Sequence, residues 1–108
     1  MSPDQFRQLA LSLPETTEGA HHGTTDFRVG GKIFATLGNP DPDWCMVSVT
    51  PEEQALLLEA EPDVFTPAPG AWGRSGSTCA RLDRLDTATA TSALAMAWRK
   101  RAPSRMGR

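Results

Sequence analysis

The chain has 108 residues, 39% of them hydrophobic and 22% charged, which is typical of one globular domain with a single core. The net charge of −2 is uneven: residues 99–108 hold five of the eleven basic residues and no acid, so the preceding part carries thirteen acids against six bases. An acidic body disfavours non-specific binding to polyanions, whereas the basic end suits it, and no apolar run approaches the roughly 20 residues of a membrane span.

A first helix is predicted from the segment "SPDQ" (2–5), which has the pattern of a capping box with proline in the first turn. Pro14 marks its end, because the residue before a proline avoids the helical conformation. The helix carries one apolar stripe at helical spacing, formed by Phe6, Leu9, Ala10 and Leu13.

A β-hairpin is predicted over residues 25–39, with Gly30-Gly31 at the turn. Two registers are open. A two-residue turn pairs Val29 with Lys32, whereas a three-residue turn with a bulge gives a cleaner apolar face. The face from the first register contains Phe27, Val29 and Phe34, and the second aligns Phe27 and Val29 with Ile33, Ala35 and Leu37.

The remaining elements follow from the same signals. Residues 44–49 read as a strand, and "TPEE" (50–53) repeats the capping-box pattern before a helix that ends at Pro62, with Ala55, Leu58 and one of Leu56 or Leu57 inward. Residues 62–76, with three prolines and three glycines, are expected to form an ordered loop anchored by Phe65 and Trp72. Residues 77–83 alternate as a strand, and a last helix begins after Asp86 or Thr87. Its predicted buried stripe is Ala90, Ala93, Leu94, Ala97 and Trp98.

The order of elements predicts an α+β fold with two layers: a mainly antiparallel sheet with helices packed on one face. One domain spans 1–103, and 104–108 are expected to form a flexible basic tail. Cys45 and Cys79 could form one disulfide, but without an export signal we expect buried, free thiols and a cytoplasmic protein.

Four segments together resemble the YjbR/MmcQ family of small bacterial proteins, whose fold is similar to the frataxin-like CyaY domain. They cover nearly the whole chain: "LSLPETTEGAHHGTTDFRVGGKIFATL" (11–37), "PEEQALLLEAEPDVFTPAPGAWGRSG" (51–76), "ARLDRLD" (80–86) and "ALAMAWRKRAP" (93–103). The resemblance implies a "double-wing" DNA-binding surface, a description that rests on fold analogy. Ser77 departs from the family, which often has an aromatic there; that aromatic could stack on a ligand, or be a packing residue whose loss Trp44 or Trp98 covers.

The sequence does not assemble a catalytic or metal site. Adjacent His21 and His22 would point to opposite faces of a strand, and no metal-ligand spacing supports them. "GRSGS" (73–77) lacks the spacing and the following helix of a nucleophile elbow. Cys79 beside Arg81 could have a lowered pKa, but a buried thiol is the simpler interpretation. The first helix holds a single acid, Asp4, so the iron binding of frataxin-like domains is not carried over.

We therefore expect a monomeric, non-enzymatic domain without a cofactor. The leading hypothesis is weak DNA binding, with basic groups of the hairpin and of the 62–76 loop on the same side of the molecule and the indole stacking on an unpaired base. The alternative is a module that binds a small anion or a protein in the cleft between the hairpin and that loop. The candidate residues for either role are His22, Arg28, Lys32, Trp72 and Arg74.

Overall fold

The computed structural model describes residues 1–104, and the predicted tail 104–108 therefore lies, apart from Ser104, outside the described residues. Four α-helices are described, α1 (Pro3–Leu11), α2 (Pro51–Ala60), α3 (Gly70–Arg74) and α4 (Thr87–Arg101), together with a short 3-10 helix at Leu82–Arg84. Six strands are described: β1 (Thr17–His21), β2 (Thr24–Val29), β3 (Lys32–Leu37), β4 (Trp44–Ser48), β5 (Phe65–Pro67) and β6 (Ser77–Arg81). They form one antiparallel sheet in the order β1-β2-β3-β4-β6-β5, which confirms the predicted α+β fold.

The helices begin where the capping signals predict. Ser2 accepts from the backbone of Gln5 and Thr50 from that of Glu53, and both boxes are closed by the reciprocal side-chain bond. Asp86 caps α4 by accepting from Thr89 at 2.7 Å. All five residues of the predicted α4 stripe are buried. In α2, however, Ala55 is exposed and Leu57 supplies the buried contact.

One face of the sheet carries the core. The helices α1 and α4 pack across β3 and β4, while α2 packs against β5 at the far edge. Phe27, Ala35, Val47 and Thr78 lie in one row across four strands on this covered face, and all are buried. The neighbouring row, which includes Asp26, Thr36 and Met46, must therefore lie on the other face, which we call the open face.

The hairpin combines parts of both predicted registers. Val29 pairs with Lys32 across a two-residue Gly30-Gly31 turn, in which both glycines have positive φ. Of the two registers left open by the sequence, the one with a three-residue turn is therefore wrong. A bulge follows, with Phe34 as the extra residue, and it returns Phe27 to a position opposite Ala35. Because of the bulge, both Phe34 and Ala35 are buried.

The segment expected to be a loop, 62–76, contains β5 and α3 instead. Two glycines fix the path of α3, because an added Cβ at Gly73 would stand 1.8 Å from the carbonyl oxygen of Ala68 and one at Gly76 would stand 1.8 Å from that of Val49. Gly76 also has a φ of +113°, which side chains disfavour. The backbone of the helix that holds Trp72 is therefore packed directly against the backbone of its neighbours.

Candidate functional site

A cavity of about 330 Å³ lies on the open face of the sheet. Ile33, Thr36 and Met46 belong to its floor, since all three point from the sheet to this side. Trp72 of α3 borders the cavity, and its side chain is 66% exposed, so one face of the indole is available to a ligand. The cavity thus lies between the hairpin and the 62–76 segment, where the sequence predicted a cleft.

One end of the cavity is formed by Arg101 together with Ser48, Ser75 and Ser77. Arg101 is the last residue of α4, and its Nη2 donates to Oγ of Ser48 at 2.8 Å. Its Nε–H is buried and has no hydrogen-bond partner among the described residues. No carboxylate among residues 1–104 forms an ion pair with this guanidinium, so among these residues Arg101 has a surplus of N–H donors and no counter-charge.

Lys100 fixes this end of α4. Its Nζ donates to the carbonyl oxygens of Val49 at 2.8 Å and Ser75 at 3.1 Å, which ties α4 to the residues before α2 and after α3. Burial, and then the neighbouring Arg101 charge, lower the pKa of the Lys100 ammonium. Arg101 is therefore held beside the cavity by its own chain neighbour.

The opposite end of the cavity is formed by His21 and Asn39. Nδ1 of His21 lies 2.7 Å from Oδ2 of Asp26, a residue that is completely buried. Arg28 donates to the same carboxylate, from Nε to Oδ1 at 2.7 Å and from Nη2 to Oδ2 at 3.1 Å. The hydrogen bond from Arg28 holds the pKa of Asp26 below its usual value, against the effect of burial.

Gly19 makes this cluster sterically feasible. It pairs with Asp26 across β1 and β2, and an added Cβ would stand 3.0 Å from Oδ1 of Asp26 and 3.1 Å from Nε of Arg28. A side chain at Gly19 would compress the forked ion pair. The carboxylate, the guanidinium and the imidazole therefore share a space that the missing side chain leaves open.

The structure separates the five residues predicted for the site. Trp72 borders the cavity, and Arg28 is engaged by Asp26. Lys32 lies opposite Val29, whose side chain is in the core, whereas Arg28 lies opposite Ile33 on the open face. The expectation that the basic groups share one side of the molecule is therefore wrong for Arg28 and Lys32, because adjacent pairs in a ladder alternate between faces.

The other two predicted residues are exposed but do not line the cavity. Arg74 is exposed at the end of α3. His22 sits in the turn after β1, with a positive φ of 49°. It is His21, the preceding residue, that lines the cavity.

Sequence reasoning missed His21, Asp26 and Arg101. Strand alternation carried a signal for His21, since Gly19 and His21 share a face of β1. Arg101 was counted only as part of the basic end of the chain, although it follows Ala97 and Trp98 at the i+4 and i+3 spacing of the buried stripe. Continuing the helical period by one turn would have found it.

Neither Trp44 nor Trp98 takes the place of the aromatic residue that the family often has at the position of Ser77. Ser77 lines the cavity, next to Ser48 in the ladder. Trp98 belongs to the core and donates from Nε1 to the carbonyl oxygen of Pro14 at 3.0 Å. Trp44 lies at the other end of β4, under the guanidinium of Arg81. Neither tryptophan lines the cavity, so the space beside Ser77 stays open.

Other chemistry is not assembled among residues 1–104. They contain no group of three or more histidine, cysteine or acidic residues that could hold a metal ion. Cys45 and Cys79 are free and buried, and burial raises the pKa of the Cys79 thiol and that of Cys45 to about 12. The described helices include none long and apolar enough to cross a membrane.

Two comparisons with known proteins give matches. The model of the YjbR family matches residues 11–100. The fold is similar to the crystal structure of Deinococcus radiodurans protein DR2400, whose family-model domain is DUF419, with a TM-score of 0.74 and 21% sequence identity over 90% of this chain and 75% of that one. No curated protein shows significant similarity to the chain.

Proposed function

The chain belongs to the YjbR family, and from this premise we propose that it is a binding domain that holds a small organic anion in the open-face cavity, without catalysing a reaction. The cavity volume of about 330 Å³ lies near the lower end of the range for ligand pockets, roughly 300–1,000 Å³. It suits one aromatic ring with short polar arms better than a polymer.

Arg101 is the observation that carries this proposal. Its guanidinium is positively charged at any physiological pH, it borders the cavity, and one N–H is bonded to Ser48. A carboxylate or phosphate would supply the missing counter-charge and accept two parallel hydrogen bonds from the guanidinium. The nearby hydroxyls of Ser48, Ser75 and Ser77 could donate to the same anion.

The exposed indole of Trp72 supports an aromatic ligand. The exposed ring stands next to an apolar floor that includes Ile33 and Met46. Stacking on an indole is a common way to hold a planar ring. The ligand we infer is therefore both planar and anionic.

DNA binding, implied by the family resemblance, is the second candidate. It is supported by the exposure of Trp72 and Arg74 on the same short helix. The ion pair of Arg28 and the position of Lys32 on the other face weigh against it, because few cations remain to follow a phosphate backbone.

The test is calorimetric titration with planar carboxylates and with inorganic phosphate, and parallel titration with duplex and single-stranded DNA at several salt concentrations. We expect an aromatic carboxylate to bind and Arg101→Met to weaken it at least tenfold, while Arg74→Met leaves it unchanged. Binding of DNA alone, with weakening by Arg74→Met, would replace the proposal with the second candidate.

A further inference from the structure

The cavity has two polar ends of different chemistry, one formed by Arg101 and one by His21. In the sheet, Asp26 lies opposite Thr36, Thr36 lies opposite Met46, and Ser48 follows Met46 by two residues. The backbone positions of Asp26 and Ser48 are thus two strand spacings apart, about 10 Å, and about 7 Å along the strands. A single ligand ring can bridge the ends once the side chains reach inward.

The His21 end has a fixed hydrogen-bonding polarity. Asp26 receives hydrogen bonds from Arg28 on both oxygens and stays ionised, so it can only accept. The proton between Asp26 and His21 therefore belongs to Nδ1 of the imidazole. In the neutral ring this leaves a lone pair on Nε2, and the residue lines the cavity.

We propose that His21 determines specificity by accepting a hydrogen bond at Nε2 from an O–H or N–H group at the end of the ligand opposite its anionic group. This inference rests on the proposed function and adds the ligand class: a planar aromatic acid that carries a hydrogen-bond donor across the ring. The cluster of Asp26, Arg28 and Gly19 acts as the support that keeps the acceptor in place. His21 is therefore a ligand-contacting residue, and Asp26 is a positioning residue.

Matched ligands test the inference. At pH 8, where imidazole side chains are ordinarily neutral, we would titrate the protein with 4-hydroxyphenylacetate, phenylacetate and 4-methoxyphenylacetate. We expect the hydroxyl compound to bind about tenfold more tightly than the other two, the effect of one hydrogen bond. The methoxy compound is the important control, because its ether oxygen can accept a hydrogen bond but cannot donate one.

Matched variants assign the preference to one residue. His21→Phe should remove the preference for the hydroxyl compound, while Arg74→Met, a change at an exposed residue that does not line the cavity, should keep it. Equal affinities of the three compounds for the native protein, or a preference that survives His21→Phe, would overturn this inference and leave anion binding standing. Absence of binding by all three, together with absence of binding by the wider set of carboxylates, would overturn both.

A spectroscopic readout is independent of the ligand. In the ¹⁵N-labelled protein, a long-range proton–nitrogen correlation spectrum should show His21 as the Nδ1–H tautomer. Observation of the Nε2–H tautomer would overturn the proposal, because Nε2 would then donate a hydrogen bond to the ligand instead of accepting one. Asp26→Asn should weaken the preference of the Nδ1–H tautomer while His22 remains unchanged, as expected for a positioning role.

Discussion

The covered face of the sheet is built from side chains such as Phe27, Phe34 and Val47, whereas the open face presents hydroxyls, a buried carboxylate and guanidinium groups. The covered face supplies the apolar burial that stabilises the fold. Within residues 1–104 no layer of helices covers the centre of the open face, and its polar groups are arranged around a cavity instead. The comparison indicates that stability and binding are carried by opposite sides of the same strands.

The largest contrast should appear between Phe27→Ala on the covered face and Met46→Ala on the open face. Phe27 is completely buried, so its truncation leaves a cavity in the core and should cost about 3–5 kcal/mol of unfolding free energy. Met46 is only half-buried and should cost much less. Urea unfolding of both variants measures the difference, and equal losses would refute the division between the faces.

Asp26→Ala tests the exception, a buried charge on the open face. Removing one partner from a buried ion pair typically costs 3–5 kcal/mol, but Arg28 and His21 are about one-third exposed and can regain water. We therefore expect about 2 kcal/mol. The control is Asp83→Ala, which breaks an exposed pair with Arg81 and should cost less than 1 kcal/mol.

Acid should reduce the stabilising contribution of Asp26 on the open face. The pKa of Asp26 is lowered from 3.8 in the folded state, so its stabilising contribution is fully present above that value and is lost as the pH falls through the lower, folded value. The difference in unfolding free energy between the native protein and Asp26→Asn should therefore shrink as the pH falls below 3.8. Chemical unfolding at a series of pH values checks this; a constant difference down to pH 2.5 would argue against it.

The smallest effect on stability should come from Trp72→Ala. The indole is 66% exposed, so we expect a change within about 0.5 kcal/mol. Affinity for an aromatic carboxylate should nevertheless fall by about tenfold, since stacking is lost. Thermal unfolding and calorimetry on the same sample compare the two effects, and a large loss of stability would place Trp72 with the core instead.

The sequence predicted features that depend on near neighbours. Both capping boxes and the α4 stripe were identified, because each is set by residues within one or two turns of a helix. The fold class followed from the order of these elements. The family resemblance agreed with it and covered almost the same residues that the family model matches.

Features that depend on strand pairing could not be read in the same way. The bulge at Phe34 changes which residues share a face, and nothing in the local pattern decides between a bulge and a longer turn. The cluster of His21, Asp26 and Arg28 exists because β1 and β2 pair in one register. The short helix at Gly70–Arg74 was read as a loop because proline and glycine obscure its pattern.

The backbone contacts at Gly73 and Gly76 have a consequence for how such a domain can diversify. These two glycines confine the path of the chain, while the positions between and before them face outward and are free to change. New side chains at Trp72 or Ser75, which both line the cavity, would alter its ligand preference while the backbone path stays the same. A randomised library at these two positions would thus be a direct route to altered ligand preference in a chain whose architecture is kept.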